Sequence, residues 1–284
     1  MDRAIRNPAL RFMVHGHVVL ALGAALHVWW IGEHWFGQGL WIRTAAAFFG
    51  TIACYGYNRL MRSRDAAVKE VAFFAWYRQH ARIMWAVVGT SAAIAVALIA
   101  SELPILIERL WIVIVPALLY VTPLRTKTGQ AIGLRQVPGL KSLLVAWVWA
   151  AGTVMLAAHY ANSLAWILVS VLLGFYWSIA IAFDLRDTMV DGRGLRTMPQ
   201  LLGIRASKAF AGLLLLPLAM LILFQFLWTA PGDRSAHVLL PLFALIACAA
   251  LVFSASPDRR GLHWLLLDGC IALIPLLAIL GSLC

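Results

Sequence analysis

Charge is what this 284-residue chain has least of. Asp, Glu, Lys and Arg together make up 12% of it, against about 25% in an ordinary soluble domain. Acids are scarcest, with 12 Asp and Glu against 23 Lys and Arg. Cysteine is sparse as well: Cys54, Cys248, Cys270 and Cys284 show no CxxC spacing and lie mostly in apolar runs. That excludes a cysteine zinc site and a disulfide framework. No low-complexity tract and no polar soluble domain interrupts the chain. What is there instead is apolar surface: 63% hydrophobic residues and a mean hydropathy of +0.86. No soluble core hides that much, whereas a bilayer does.

Apolar runs recur at the length a helix needs to cross a membrane, about 20 residues. After the short basic segment with Arg3, Arg6 and Arg11, the first run reaches about Ile31. It lacks a small-residue cleavage site and reads as a first span rather than a removed signal. Others fall near 40–60, 83–101, 107–124, 139–158, 162–183, 207–228, 236–254 and 262–282. The expected fold is all-α: one polytopic membrane domain over 1–284, nine helices bundled around a central cavity beneath a cap of cytoplasmic loops. Helices are the expected form, because lipid offers no partner to an unpaired backbone group.

The net charge of +11 invites a nucleic-acid reading, but its distribution removes the need for one. With the N-terminus inside, every Lys and Arg except Arg43, Arg109 and Arg234 falls on the cytoplasmic side, as the positive-inside rule requires. The chain without organelle targeting suits a bacterial inner membrane. The connections after the second, fourth and sixth spans are long, and long loops in compact folds often carry function.

The third long connection opens on Asp184-Leu-Arg-Asp187-Thr-Met-Val-Asp191, three of the twelve acids within eight positions. On a continuing helix they share a face at i, i+3 and i+7, where like charges repel. A cation between them relieves this, and oxygen-only ligands favour Mg²⁺ or Ca²⁺. The plainer alternative is a solvated loop whose acids balance Arg186, Arg193 and Arg196. In the first long loop Asn58, Arg62 and Asp65 share a helical face; the second carries Arg125, Lys127, Arg135 and Lys141. Carboxylates for Mg²⁺ together with guanidiniums that fork onto phosphate oxygens point to a diphosphate. Beneath the loops lie Trp147, Trp149, Phe175, Tyr176 and Trp177, whose ring faces suit a cation or simply pack against lipid and neighbours. His15, His17 and His27 lack the spacing of a metal set. Asp268 is an acid inside the last span, which makes it a functional candidate or a paired helix end.

These motifs resemble the UbiA superfamily of intramembrane prenyltransferases. Asp184, Asp187 and Asp191 match its DxxDxxxD; Gly194, Arg196-Thr197-Met198-Pro199 and Leu202-Gly203 are similar to its GxRTLPxxLG continuation. Tyr120, Pro123 and Arg125 resemble its YPxxKR element. Its first motif, NDxxDxxxD, is altered: from Asn58 the acid positions hold Arg59, Arg62 and Ala66, with Asp65 one residue early. The resemblance implies a Mg²⁺-dependent enzyme that ionises an isoprenyl diphosphate to an allylic cation captured by a small or lipid-soluble acceptor. It implies metal ligands at Asp184, Asp187, Asp191 and Asp65. Diphosphate contacts are expected at Asn58, Arg59, Arg62, Arg125, Lys141, Arg186 and Arg196, and a prenyl cavity at Trp147, Tyr176 and Trp177. Arg59 and Arg62 are expected to supply charge that a second metal would otherwise supply. A terpene cyclase on the same scaffold, with no acceptor, and a non-catalytic binder of diphosphate lipids are the competing expectations.

Overall fold

The structure is a computed structural model that describes residues 8–64, 72–121, 124–125, 131–132, 134, 137–188, 196–228, 234–256 and 261–282. It is helical throughout, apart from a two-residue antiparallel ladder pairing Leu124 with Ile132 and Arg125 with Ala131. The helices are α1 (Pro8–His15), α2 (Val18–Phe36), α3 (Trp41–Ser63), α4 (Ala72–Gln79), α5 (Ala81–Ile99), α6 (Leu103–Val121) and α7 (Leu140–Ala157). After them come α8 (Ser163–Asp187), α9 (Met198–Leu202), α10 (Ile204–Leu213), α11 (Leu216–Trp228), α12 (Arg234–Ser254) and α13 (Gly261–Ser282).

Among the described residues four stretches are long and apolar enough to cross a bilayer: Ala81–Tyr120, Leu140–Ala157, Ser163–Asp187 and Ile204–Gln225. Val238–Ser254 and Leu266–Ser282 are shorter apolar helices. Polar side chains lie within α2 at His27, Glu33 and His34, and within α3 at Arg43, Arg59 and Arg62. Exposed Trp41, Trp111, Leu118, Met220, Phe224 and Phe243 cover the outside of the bundle with surface that only lipid solvates well. The chain is an all-helical integral membrane protein.

The centre of the bundle is α8, which has buried residues recurring from Ala165 to Arg186 and packs on α7, α10, α11, α12 and α13. Gly174 explains one close approach: a Cβ there would stand 2.5 Å from the carbonyl oxygen of Leu214. That carbonyl lies in the break between α10 and α11, so the sequence run expected as one helix over 207–228 is two. The first span is broken too, with α1 and α2 meeting at His17 in left-handed backbone (φ 57°).

The direction of the helices follows from their end contacts. Met84, at the start of α5, packs with Leu60 near the end of α3. Glu102, in the 3-10 turn Ala100–Glu102 after α5, meets Arg43 at the start of α3. Tyr120, at the end of α6, returns to a cavity also lined by Arg59. One end of the bundle thus holds the basic end of α3 and the acidic end of α8. The opposite end is tied by Arg43, which donates to the carbonyls of Leu156 (3.2 Å) and Ala158 (3.0 Å), and by Arg109, which donates to Ala158 (2.7 Å).

Candidate active site

A cavity of about 230 Å³ opens at the end of the bundle where α3 and α8 finish, lined from α1, α2, α3, α6, α7, α8 and α13. Its mouth is charged. Asn58, Arg59 and Arg62 reach it from α3, Lys141 from the first turn of α7, and Asp184, Arg186 and Asp187 from the last turn of α8. Helical periodicity does this work. Positions 55, 58–59 and 62 of α3 form one stripe, and 184 and 187 of α8 are one turn apart.

The charges are organised in pairs. Lys141 Nζ lies 2.8 Å from Asp184 Oδ1, and the Asp184 side chain is 3% exposed. Arg186 forks onto its neighbour Asp187, with Nε to Oδ1 and Nη2 to Oδ2 both at 2.8 Å, and lies over the Phe183 ring at 4.8 Å. Lys141 and Arg186 thus each place a cation beside one of the two aspartates. Arg59 and Arg62 are held by α4: their guanidinium carbons lie 5.9 and 5.3 Å from the centroid of Phe74, within cation–π range. Phe74 is buried with Leu60, Tyr77, Met84 and Val88. Tyr77 donates to the His15 carbonyl, so His17 Nε2, 3.0 Å from the same hydroxyl, is the donor in that contact.

Below the mouth the wall is apolar and aromatic, with Leu20, Val145, Val148, Trp149, Tyr176 and Ile179. Trp149 Nε1 donates to the Tyr55 hydroxyl at 2.7 Å, and the Trp149 and Tyr176 rings lie 5.4 Å apart.

The expected site residues separate on this geometry. Asn58, Arg59, Arg62, Lys141, Asp184, Arg186, Asp187 and Tyr176 come together. Trp147 and Trp177 do not line the cavity: Trp147 Nε1 donates to the Ile112 carbonyl at 2.8 Å. Trp177 Nε1 donates to the Ser142 hydroxyl at 3.3 Å, its ring edge-on to Phe210. Both make helix contacts, while Trp149 of the same helix as Trp147 lines the cavity. Arg196 is exposed in left-handed backbone (φ 41°); its carbonyl accepts from Gly139 N at 3.0 Å, which joins the loops before α7 and α9. Arg125 belongs to the two-residue ladder, and its side chain lies outside the described residues, as do Asp65 and Asp191. His17 and Tyr55 line the cavity without having been singled out for it, and Asp268, a candidate as an acid inside the last span, lines it too. Tyr55 was findable, one turn before Arg59 on the same stripe.

Among the described residues no three His, Cys, Asp or Glu side chains converge on one metal position. Mg²⁺ does not require three: it keeps several waters and binds through one or two carboxylates plus substrate phosphates. Asp184 and Asp187, all-oxygen donors one turn apart at the cavity mouth, fit that ion.

No family model and no curated protein matches the chain. Its structure is similar to the apo structure of a UbiA homolog from Aeropyrum pernix K1, with a TM-score of 0.62 and 17% identity over 94% of this chain and 97% of that one. At that identity the likeness speaks for architecture rather than activity, and it runs nearly end to end: this chain has the fold of a UbiA homolog.

Proposed function

We propose that this protein is an intramembrane prenyltransferase of the UbiA type. It would take an isoprenyl diphosphate from the bilayer and transfer the isoprenyl group to a small or lipid-soluble acceptor. The observation that carries this is the polarity of one cavity, with four cations and two carboxylates among the described residues at its mouth and an aromatic and aliphatic wall behind them. A molecule with a polyanionic head and an apolar tail satisfies both ends at once, and a soluble metabolite satisfies only one.

Arg59, Arg62 and Lys141 bind the diphosphate oxygens, and the Arg59 and Arg62 guanidiniums are steadied by Phe74 without using their N–H donors. Asp184 and Asp187 would hold Mg²⁺, which would supply neutralising charge to the leaving diphosphate. The allylic C–O bond breaks with its electron pair leaving on the diphosphate, whose growing charge the fixed cations stabilise. Tyr176 and Trp149 face the carbon chain and exclude water that would quench the cation. The acceptor's electron pair then forms the new bond.

The test is diphosphate release by purified protein from C10, C15 and C20 isoprenyl diphosphates, with Mg²⁺ or EDTA, with and without an acceptor-containing lipid extract. Release that depends on Mg²⁺, needs the extract and is lost in Asp184→Ala supports the transferase. Release without extract, giving a cyclic product, would make it a cyclase. Binding without release under any condition would leave a diphosphate-lipid binder.

A further inference from the structure

Among the described residues three carboxylates line the cavity, and two stand beside a cation: Asp184 by Lys141 and Asp187 by Arg186. The third, Asp268 of α13, makes no hydrogen bond or ion pair among the described residues. An acid inside a spanning helix is expensive and faces a bundle interior or a polar cavity when it persists; Asp268 faces this one. Its depth is fixed by its neighbour Leu267, which packs in one cluster with Ile181, Ala182 and Leu185, so Asp268 stands level with the last turns of α8. Asp268 does not join Asp184 and Asp187 in a three-carboxylate metal set. The charges of Arg186 and Arg59 reach it across the cavity, and Tyr55 interacts with it electrostatically from α3.

We infer that Asp268 is the catalytic base of the site, accepting the proton that the reaction must shed after ionisation. This rests on the prenyl-diphosphate reading above and adds the half of the chemistry that the charged mouth does not perform. Heterolysis of the C–O bond leaves diphosphate and an allylic cation. When the acceptor's electron pair closes the new bond, the adduct carries the positive charge until an O–H or C–H bond breaks. The electrons of that bond neutralise the adduct, and the proton goes to a carboxylate oxygen of Asp268, which becomes the neutral acid. Water at the cavity mouth removes it before the next turnover. The same transfer ends a cyclisation, where the cation loses a proton from an adjacent carbon to give an alkene. Asp184 and Asp187 are poorly placed for this, since each is held by a cation and both face the leaving group.

The experiment compares purified full-length wild type, Asp268→Asn and Asp268→Glu with Mg²⁺, the three isoprenyl diphosphates and the lipid extract. It records diphosphate released, proton-loss product, prenyl alcohol from water capture, and Tm. Asp268→Asn removes an intramembrane charge that has no ion-pair partner among the described residues, without changing shape, so its Tm should equal or exceed that of the wild type. Its proton-loss product should fall about 100-fold or more, the scale of a lost general base. Prenyl alcohol should rise relative to product, and Asp268→Glu should recover part of the product. Wild-type product formation by Asp268→Asn would overturn the inference alone, as would equal loss of diphosphate release and product with Tm retained, which would place Asp268 in ionisation instead. Absence of diphosphate release by the wild type would overturn both this inference and the prenyltransferase reading. Should Asp268→Asn fail to fold, Asp268→Ser is judged by the same criteria.

Discussion

Lys141 Nζ stands 2.8 Å from Asp184 Oδ1, with side chains 13% and 3% exposed, so the first turn of α7 is clamped to the last turn of α8 inside the mouth of the cavity. A pair this buried is costly to break, because the remaining charge stays desolvated. Lys141→Met should cost about 3 kcal/mol, the scale of a broken buried pair, read as a fall in Tm in detergent. The double variant Lys141→Met with Asp184→Asn should regain much of that stability, since apolar or neutral replacement of both partners is often near neutral. It should still release no diphosphate. If the double variant is as unstable as the single one, the 2.8 Å pair is not what holds these helix ends together.

The stacking of Arg59 and Arg62 on Phe74 gives a second, separable effect. Phe74→Leu keeps a buried hydrophobe among Leu60, Tyr77, Met84 and Val88 but removes the ring quadrupole. A cation–π contact near the surface contributes about 0.5–1 kcal/mol, so affinity for inorganic diphosphate should drop a few-fold. Phe74→Trp should preserve it. Isothermal titration decides the matter, and equal affinities for the Leu and Trp variants would show that the ring does not position the arginines.

Tyr55 accepts the Trp149 indole proton at 2.7 Å in the middle of the cavity wall. Tyr55→Phe takes away the acceptor and leaves a half-buried N–H to be satisfied elsewhere, at a cost of about 1–3 kcal/mol. Thermal unfolding should record that loss. Trp149→Phe with Tyr55→Phe should recover part of it, because the orphaned donor is gone. Product distribution should shift as well, since both rings border the space available to the isoprenyl chain.

The extent to which the chain could be read in advance follows from the physics of each signal. Apolar runs of bilayer length and the sidedness of Lys and Arg are global properties, and they carried the all-helical membrane fold. The DxxDxxxD spacing is local to one helix, so Asp184 and Asp187 were legible as neighbours. The pairing of Asp184 with Lys141 was not, because it joins residues 43 positions apart in sequence. Trp147 and Trp149 illustrate the limit: two residues apart on one helix, they face different neighbours, α6 for Trp147 and the cavity for Trp149. In a helix apolar almost all round, hydrophobicity does not say which face is inside. The break at Leu214 was hidden for the same reason, since only the contact with Gly174 reveals it.

The far end of the bundle supplies the control that separates fold from chemistry. Arg43, 5% exposed, reaches Glu102 at 2.6 Å and, with Arg109, the carbonyls that end α7. Those carbonyls are the negative pole of the helix and have no partner within it, so both guanidiniums act as a C-terminal cap. Arg43→Met leaves Glu102 and two helix-end carbonyls short of a donor, and hydrogen bonds to charged groups contribute about 1.5–3 kcal/mol each. Tm should fall clearly while diphosphate affinity, measured well below the transition, stays at the wild-type value. The cap and the cavity mouth sit at opposite ends of α3, α6 and α7, so loss of affinity in Arg43→Met at full folding would mean that the two ends are coupled through these helices and that the mouth is not a preformed site.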